Sequence, residues 1–410
     1  TEARIGLTSL PGPGDEVDYD QLAVELAAGN GLRVDYDNPV WRGPYERANA
    51  DGKYDPYLER RGAAPTTYRP PLFPAVMAGL YSVFGRSFAA VRVFNCLAMA
   101  AAGAVAAWLV ARRLGPLPGL LCGFLFAVLE HRARYYAGPV LTESLASLFT
   151  VLLAAALIRL AETGRLGAAL TAGLLTGLGA LNRSLVALWL PVLIPLAAWL
   201  VPGRRVAAAV AFTLAAGALL VPWGVRNSLL LGRFAPLGTH GQQNLAAAFS
   251  DGAFARRGIW YNLDDEGFFP PEIDDSQPGL DRELARAEYS QRAAFEWIRE
   301  NPLKVPLLVA MRVRAEWRPW MFWDGLVLGL AALGLVLWPV AADRRVFVGL
   351  LAANTLAVAA TWSVAGRFLV PMLPILHAAA ACGLWAAILA ATERRSVVRG
   401  WLTNGGERGS

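Results

Sequence analysis

The sequence predicts an all-α polytopic membrane protein with about nine transmembrane helices in this chain, joined by extracytoplasmic juxtamembrane helices and loops. Three observations predict it. Hydrophobic residues make up 55% of the 410 positions and the mean hydropathy is +0.39, too apolar for an ordinary soluble chain. Apolar stretches recur at lengths near the roughly 20 residues that a helix needs to cross a bilayer core. Arginine-bearing connections alternate with a second set made of two long polar segments and short turns, as orientation in a membrane requires.

The net charge of +6 does not point to nucleic acid. The basic residues sit in short dipeptides between apolar stretches, without the aromatic interleaving of a binding patch. The three cysteines, Cys96, Cys122 and Cys382, lie inside apolar stretches and read as small hydrophobes rather than a disulfide framework. His131, His240 and His377 are scattered without metal-ligand spacing, so any metal is expected on carboxylates.

Residues 1–87 are polar and rich in Gly, Pro and Tyr, and read as a first extracytoplasmic loop with amphipathic juxtamembrane helices. They lack the basic start and apolar core of a signal peptide, so a first transmembrane helix is expected upstream of Thr1. Residues 88–225 form a transmembrane bundle with spans expected at 88–111, 116–136, 139–161, 167–183, 184–202 and 205–225. Small-residue runs at 97–107 and 167–181 allow helices to pack closely. Residues 226–322 form a long extracytoplasmic loop, and residues 323–410 carry spans at 323–341, 345–363 and 367–391 and a short cytoplasmic tail. Arg112-Arg113, Arg165, Arg204-Arg205, Arg344-Arg345, Arg394-Arg395 and Arg399 mark the cytoplasmic side.

Within the long loop, residues 281–300 predict a soluble helix with Leu284, Ala287, Gln291, Ala294, Phe295 and Ile298 on one face, stopped by Asn301-Pro302. The following segment 306–323 interleaves Arg312, Arg314 and Arg318 with Trp317, Trp320 and Trp323, a pattern suited to the headgroup layer. The acidic pairs at Asp264-Asp265 and Asp274-Asp275 lack the glycine and ligand alternation of a calcium loop.

On this topology ionisable groups of both signs collect at the extracytoplasmic end: Arg92, Glu130, Arg132, Arg134, Glu143, Arg183, Arg226 and Arg367. Arginine in short outer turns runs against the positive-inside tendency, and an anionic partner such as phosphate would compensate it, with snorkelling to headgroups as the alternative. Glu143 lies about a turn inside an apolar stretch, where an uncompensated carboxylate costs roughly 2–4 kcal/mol, so it pairs with an arginine or binds a ligand. Asp15, Glu16, Asp18 and Asp20 open an amphipathic helix, where acids commonly complement the dipole.

Several short motifs occur in order: Asp15-Glu16-x-x-Tyr19; Arg69-Pro70-Pro71-Leu72-Phe73-Pro74; Phe84-Gly85 and Arg92; Leu141-Thr142-Glu143; Gly179 to Arg183; Pro222-Trp223-x-x-Arg226-Asn227; and Gly366-Arg367-Phe368-Leu369. Together they resemble the C-type (GT-C) membrane glycosyltransferases, in the branch similar to protein O-mannosyltransferases and lipid A aminoarabinose transferases. The resemblance implies a sugar donor on a polyprenyl phosphate and an inverting transfer at the extracytoplasmic face of the cell membrane, to a lipid, glycan or protein acceptor.

It further implies that Asp15 is the catalytic general base with Glu16 beside it, and that Arg69 contacts the donor phosphate. Arg92, Arg183, Arg367 and Glu143 would assist substrate binding, and Tyr19 and Tyr68 would bound the sugar. Asp18 and Tyr68 depart from the pattern of some relatives, which leaves a divalent cation and the sugar identity open. The competing class is a transporter or flippase for a phosphate-bearing lipid or glycan, against which stands the collection of polar residues at one leaflet rather than mid-bilayer.

Overall fold

The computed structural model describes residues 6–274 and 279–391, so the basic tail at Arg394, Arg395 and Arg399 and the second aspartate of Asp274-Asp275 lie outside the described residues. A polar layer comes first in the chain: helix α1 (Asp15–Ala27), then a small antiparallel hairpin of β1 (Arg33–Asp35) and β2 (Ala63–Pro65) with Val34 opposite Ala64. That hairpin corrects the all-α expectation. It is held from outside, because Arg226 donates to the carbonyls of Thr66 and Leu32 at 3.1 and 3.0 Å.

The bundle follows: α2 (Leu72–Phe84), α3 (Phe88–Leu114), α4 (Pro116–Phe124, continued by a π turn to Leu129), α5 (His131–Ala137), α6 (Glu143–Thr163), α7 (Leu166–Asn182), α8 (Leu190–Leu200) and α9 (Arg205–Leu231). After the long loop come α10 (Leu280–Glu300), α11 (Lys304–Trp317), α12 (Phe322–Leu337), α13 (Ala341–Ala360) and α14 (Leu373–Ala391).

Each of the nine expected stretches carries helix, but among the described residues four spans are long and apolar enough to cross a membrane alone. They are Phe88–Leu114, Glu143–Thr163, Pro202–Leu231 and Arg367–Ala391, with a fifth if the pair α11 and α12, bent by 103°, counts as one. The count of nine is therefore not confirmed. Polar residues end the shorter helices early: Glu130 stops the stretch from Pro116 and Asn182 the one from Leu166, while α13 opens on Asp343-Arg344-Arg345.

Glycines set the closest approaches. On α7, a Cβ at Gly173 would collide with the Phe212 carbonyl of α9, and Gly177 lies against Ala216 and Leu219. On the other side, Gly334 of α12 faces the Ala379 carbonyl of α14 and Gly383 faces the Leu330 carbonyl, so these helices meet backbone to backbone. Cys122 and Cys382 are buried as small hydrophobes, whereas Cys96 is on the outside of the bundle.

Two details of the long loop differ from the sequence reading. Helix α10 buries Ala287, Ser290, Ala294 and Trp297, while Phe295 is exposed, so its inner face is rotated from the expected one. Arg312 does not reach a headgroup layer: it is wholly buried and donates to the carbonyls of Ala359 and Ala248, each at 2.7 Å. Backbone acceptors at the α13 end and in the loop capture it first.

Candidate active site

Asp15 is the first residue of α1, preceded by Gly14 at φ 101°, a conformation that favours glycine. Its two oxygens are held by arginines from distant elements. Oδ1 is 2.6 Å from Nη2 of Arg69, and Oδ2 is 2.8 Å from Nη2 of Arg367. Arg69 also donates to Asp18 Oδ2 at 3.0 and 2.6 Å, so Asp18, one turn along α1, shares the same guanidinium.

Glu143, fully buried at the start of α6, brings in a third arginine. Its Oε1 accepts from Arg183 Nη1 at 2.6 Å and from Arg367 Nε. One carboxylate therefore fixes two guanidinium groups carried by different segments, the pairing that the sequence reading weighed for Glu143.

The supports behind these arginines are built from the long loop. Glu283 of α10 accepts from the Thr67 amide, the Thr67 hydroxyl and the Thr239 hydroxyl at 3.0, 3.0 and 3.1 Å, tying the segment before Arg69 to the segment before His240. Glu316 of α11 accepts from the Ser363 hydroxyl and from the Gly366 and Leu369 amides at 2.7, 3.3 and 2.7 Å. Trp320 Nε1 donates to the Ala365 carbonyl at 2.7 Å. Ala365, at φ 49°, is a strained non-glycine residue directly before the Gly366-Arg367 pair, and strain of this kind persists only where surroundings over-determine it.

Two cavities meet at Asp15. A larger one of about 1030 Å³ is lined only by residues of the first 69 and of the long loop, among them Asp15, Asp18, Tyr57, Arg60, Tyr68, Arg69, His240, Trp260, Asp264 and Glu283. A smaller one of about 430 Å³ opens among helix ends and carries Tyr19, Arg183, Arg367, Leu185, Leu188, Leu237 and Phe368. Asp15, Arg69, His240, Asn244 and Trp260 belong to both.

The electrostatics follow from burial against pairing. Burial alone would raise the Asp15 carboxyl, but Arg69 and Arg367 outweigh it and hold the group well below the usual carboxylate range. Asp18 goes the other way: burial raises it despite Arg69. Burial likewise raises Glu16, against the two amides that it accepts from. Burial, with Arg69 adding to it, lowers the His240 imidazole to about 3, so His240 is neutral. Its ring meets Tyr68 edge-on at 4.7 Å, and its Nδ1 is buried without a hydrogen-bond partner.

The residues singled out from the sequence thus separate into two groups. Asp15, Tyr19, Tyr68, Arg69, Arg183 and Arg367 line the cavities, with Glu143 behind the last two. Glu16 and Arg92 line neither cavity. Glu16 accepts from the Val140 and Gly12 amides at 2.7 and 3.3 Å, and Arg92 donates through Nη1 to the Leu7 and Ser9 carbonyls at 2.7 Å each, so backbone groups engage both. His240 and Glu283 were not expected. The histidines as a class were set aside on spacing, yet the fold also brings His131 to 3.3 Å from Asp324 and His377 to 3.7 Å from Glu130.

Residues 68–224 match the family described as dolichyl-phosphate-mannose-protein mannosyltransferase. Among solved structures, the fold is similar to the archaeal oligosaccharyltransferase AglB from Archaeoglobus fulgidus, in complex with an inhibitory peptide and a dolichol-phosphate. The TM-score is 0.54 at 12% identity, over 95% of this chain and 48% of that one. A weaker likeness, with a TM-score of 0.43 at 14% identity over 94% of this chain and 76% of the other, is to ArnT from Cupriavidus metallidurans bound to undecaprenyl phosphate. This chain spans about half the length of the archaeal enzyme that it matches. No curated protein sequence matches it significantly. The family match over residues 68–224 agrees with the resemblance read from the motifs, and the fold is similar to that of the archaeal enzyme.

Proposed function

We propose that this chain transfers a sugar from a polyprenyl-phosphate donor to a lipid, glycan or protein acceptor at the extracytoplasmic face of the cell membrane, with inversion and with Asp15 as general base. One observation carries the reading: Asp15 stands, with Arg69 and His240, in the wall shared by a larger polar cavity and a smaller cavity among helix ends that carries Arg183 and Arg367. The smaller cavity suits a lipid-linked phosphate, with Arg183 and Arg367 on its oxygens and Leu185, Leu188 and Phe368 beside the first part of the tail. The larger cavity suits the acceptor.

In the transfer, Asp15 takes the proton of the acceptor nucleophile while that atom attacks the anomeric carbon. The bond from that carbon to the phosphate oxygen breaks on the opposite face, which inverts the centre. The polyprenyl phosphate leaves with the bonding electrons, and the arginines stabilise the charge that grows on it. Glu143 is a positioning residue that presents Arg183 and Arg367 together. Glu16 and Arg92 take no part in this scheme, since backbone groups hold them away from both cavities.

Asp15 in its paired state is a weak base, because two guanidinium groups favour the bare carboxylate. A donor phosphate competes for Arg367 and draws it off, so the carboxylate gains basicity when the donor is in place. The surroundings of Asp15 do not suit a divalent cation, because both its oxygens face guanidinium groups and Asp18 pairs with Arg69. No step here runs through a metal.

The test uses lipid extracts. Cells without the gene accumulate one lipid-linked sugar, the wild-type gene clears it, and Asp15→Asn does not. Extracts that are the same with and without the gene would remove the enzymatic reading.

A further inference from the structure

Two buried carboxylates outside both cavities divide their oxygens between an arginine and histidines. Glu130 and Asp324 are 1% and 2% exposed. Glu130 Oε1 accepts from the Arg132 amide at 3.0 Å and lies 3.5 Å from Arg132 Nε. Asp324 Oδ2 accepts from the Trp320 and Met321 amides at 2.7 and 3.2 Å and lies 3.9 Å from the same Nε. The remaining oxygens meet imidazoles, Asp324 Oδ1 at 3.3 Å from His131 Nδ1 and Glu130 Oε2 at 3.7 Å from His377 Nε2.

His377 supplies an independent pointer. It is completely buried, and its Nδ1 is 2.9 Å from the Leu373 carbonyl, an acceptor, so Nδ1 carries the hydrogen. In the neutral ring Nε2 is then a bare lone pair, and it has no hydrogen-bond partner while it faces a carboxylate oxygen. Two lone pairs opposed across 3.7 Å in a buried place are relieved by a cation between them or by a proton on one of the two groups. A backbone carbonyl on Nδ1 is also how metal-bound histidines are commonly oriented.

We propose that Glu130, His131 and Asp324, with His377 approaching from the Glu130 side, bind one divalent transition-metal ion. Ligand atoms of the first three lie within 4.8 Å of one another. Mixed carboxylate and imidazole donors favour Zn²⁺ or Mn²⁺ over Mg²⁺ and Ca²⁺, which prefer oxygen alone. Arg132 does not compete, because it sits on the opposite oxygen of each carboxylate. The ion joins the starts of α5 and α12 to α14, next to Trp320, which holds the Ala365 carbonyl before Arg367. Its role is to fix that loop, not to touch the donor.

Equilibrium dialysis of the purified full chain in detergent against Zn²⁺, after chelator treatment, tests this without any activity readout. Close to one Zn²⁺ per chain is expected for wild type and for Asp15→Asn, with affinity weakened at least tenfold in His131→Ala and in Glu130→Gln. Removal of Glu130 also strips Arg132 of a partner, so the half-buried His131 variant carries the argument if Glu130→Gln does not fold. A second measurement is thermal: Zn²⁺ raises the wild-type midpoint, and Mg²⁺ at the same concentration does not. Wild type binding no more Zn²⁺ than His131→Ala, or an equal thermal shift in both, would overturn the site.

Discussion

Arg367 reaches Asp15 with one nitrogen, at 2.8 Å, and Glu143 with another, so a single guanidinium joins the carboxylate at the head of α1 to the one at the head of α6. This shared arginine makes the two carboxylates unequal. Glu143 is fully buried and also holds Arg183, whereas Asp15 is partly exposed and lies where two cavities meet. A phosphate entering the smaller cavity would therefore displace Asp15 from Arg367 more readily than Glu143.

Asp15→Asn removes the proton acceptor while keeping its size. The expected result is a fall in kcat of roughly 10²–10⁴-fold, the usual range for general base catalysis. Donor affinity should hold or improve, because Arg367 no longer has Asp15 as a rival for the phosphate. Steady-state kinetics with a lipid-linked donor separate the two quantities, and an unchanged kcat would remove Asp15 from the chemistry.

Arg367→Ala deletes a charge-assisted contact to the phosphate. Such contacts contribute about 1.5–3 kcal/mol, so the donor KM should rise roughly 10- to 100-fold. Arg367→Lys should recover part of this as a point charge but not the forked geometry, because lysine cannot span Asp15 and Glu143 at once. Donor titration at saturating acceptor is the measurement.

Part of this site was legible in the sequence because its residues stand in short local motifs. Asp15 and Tyr19 share one helix face, Arg69 leads a proline run, and Arg367 follows a glycine that must turn the chain at φ 97°. Glu283 and Asp324 were not legible. The partners of Glu283 at Thr66 and Thr67 lie 217 and 216 residues away, and one chain offers no local signal for such a pair. His240 was passed over because spacing tests look for ligands close in sequence, whereas its neighbours Tyr68 and Trp362 come from opposite ends of the chain. Glu16 was placed beside the catalytic Asp15 and Arg92 with the substrate residues by motif, but backbone groups nearer to them hold both side chains. The count of nine spans is not confirmed: hydropathy finds apolar stretches, and Glu130 and Asn182 stand where two of the helices within them end.

Glu143→Gln leaves Arg183 and Arg367 without their shared counter-charge in a buried place. Breaking a buried ion pair from one side costs about 3–5 kcal/mol. The thermal midpoint in detergent should fall by several degrees, and donor KM should rise with it because both arginines lose their orientation. A variant with normal stability but poor donor binding would instead give Glu143 a direct contact with substrate.

His240 offers a pH test with a definite sign. Its folded pKa is about 3 against an ordinary 6.5, so between those values the unfolded chain binds a proton that the folded chain refuses. Stability from this group is fully present above pH 6.5 and is lost as pH falls toward 3. Glu16, Asp18 and Glu283 are all raised by burial and act in the opposite sense, gaining stability as pH falls through their folded values, so the wild-type curve alone does not isolate the histidine. The difference between wild type and His240→Gln does. From pH 7 to pH 4 the wild-type midpoint should decline more steeply than that of the variant. Parallel curves would mean that His240 keeps an ordinary pKa, and with it that the seam between the two cavities is open to water rather than closed around a neutral ring.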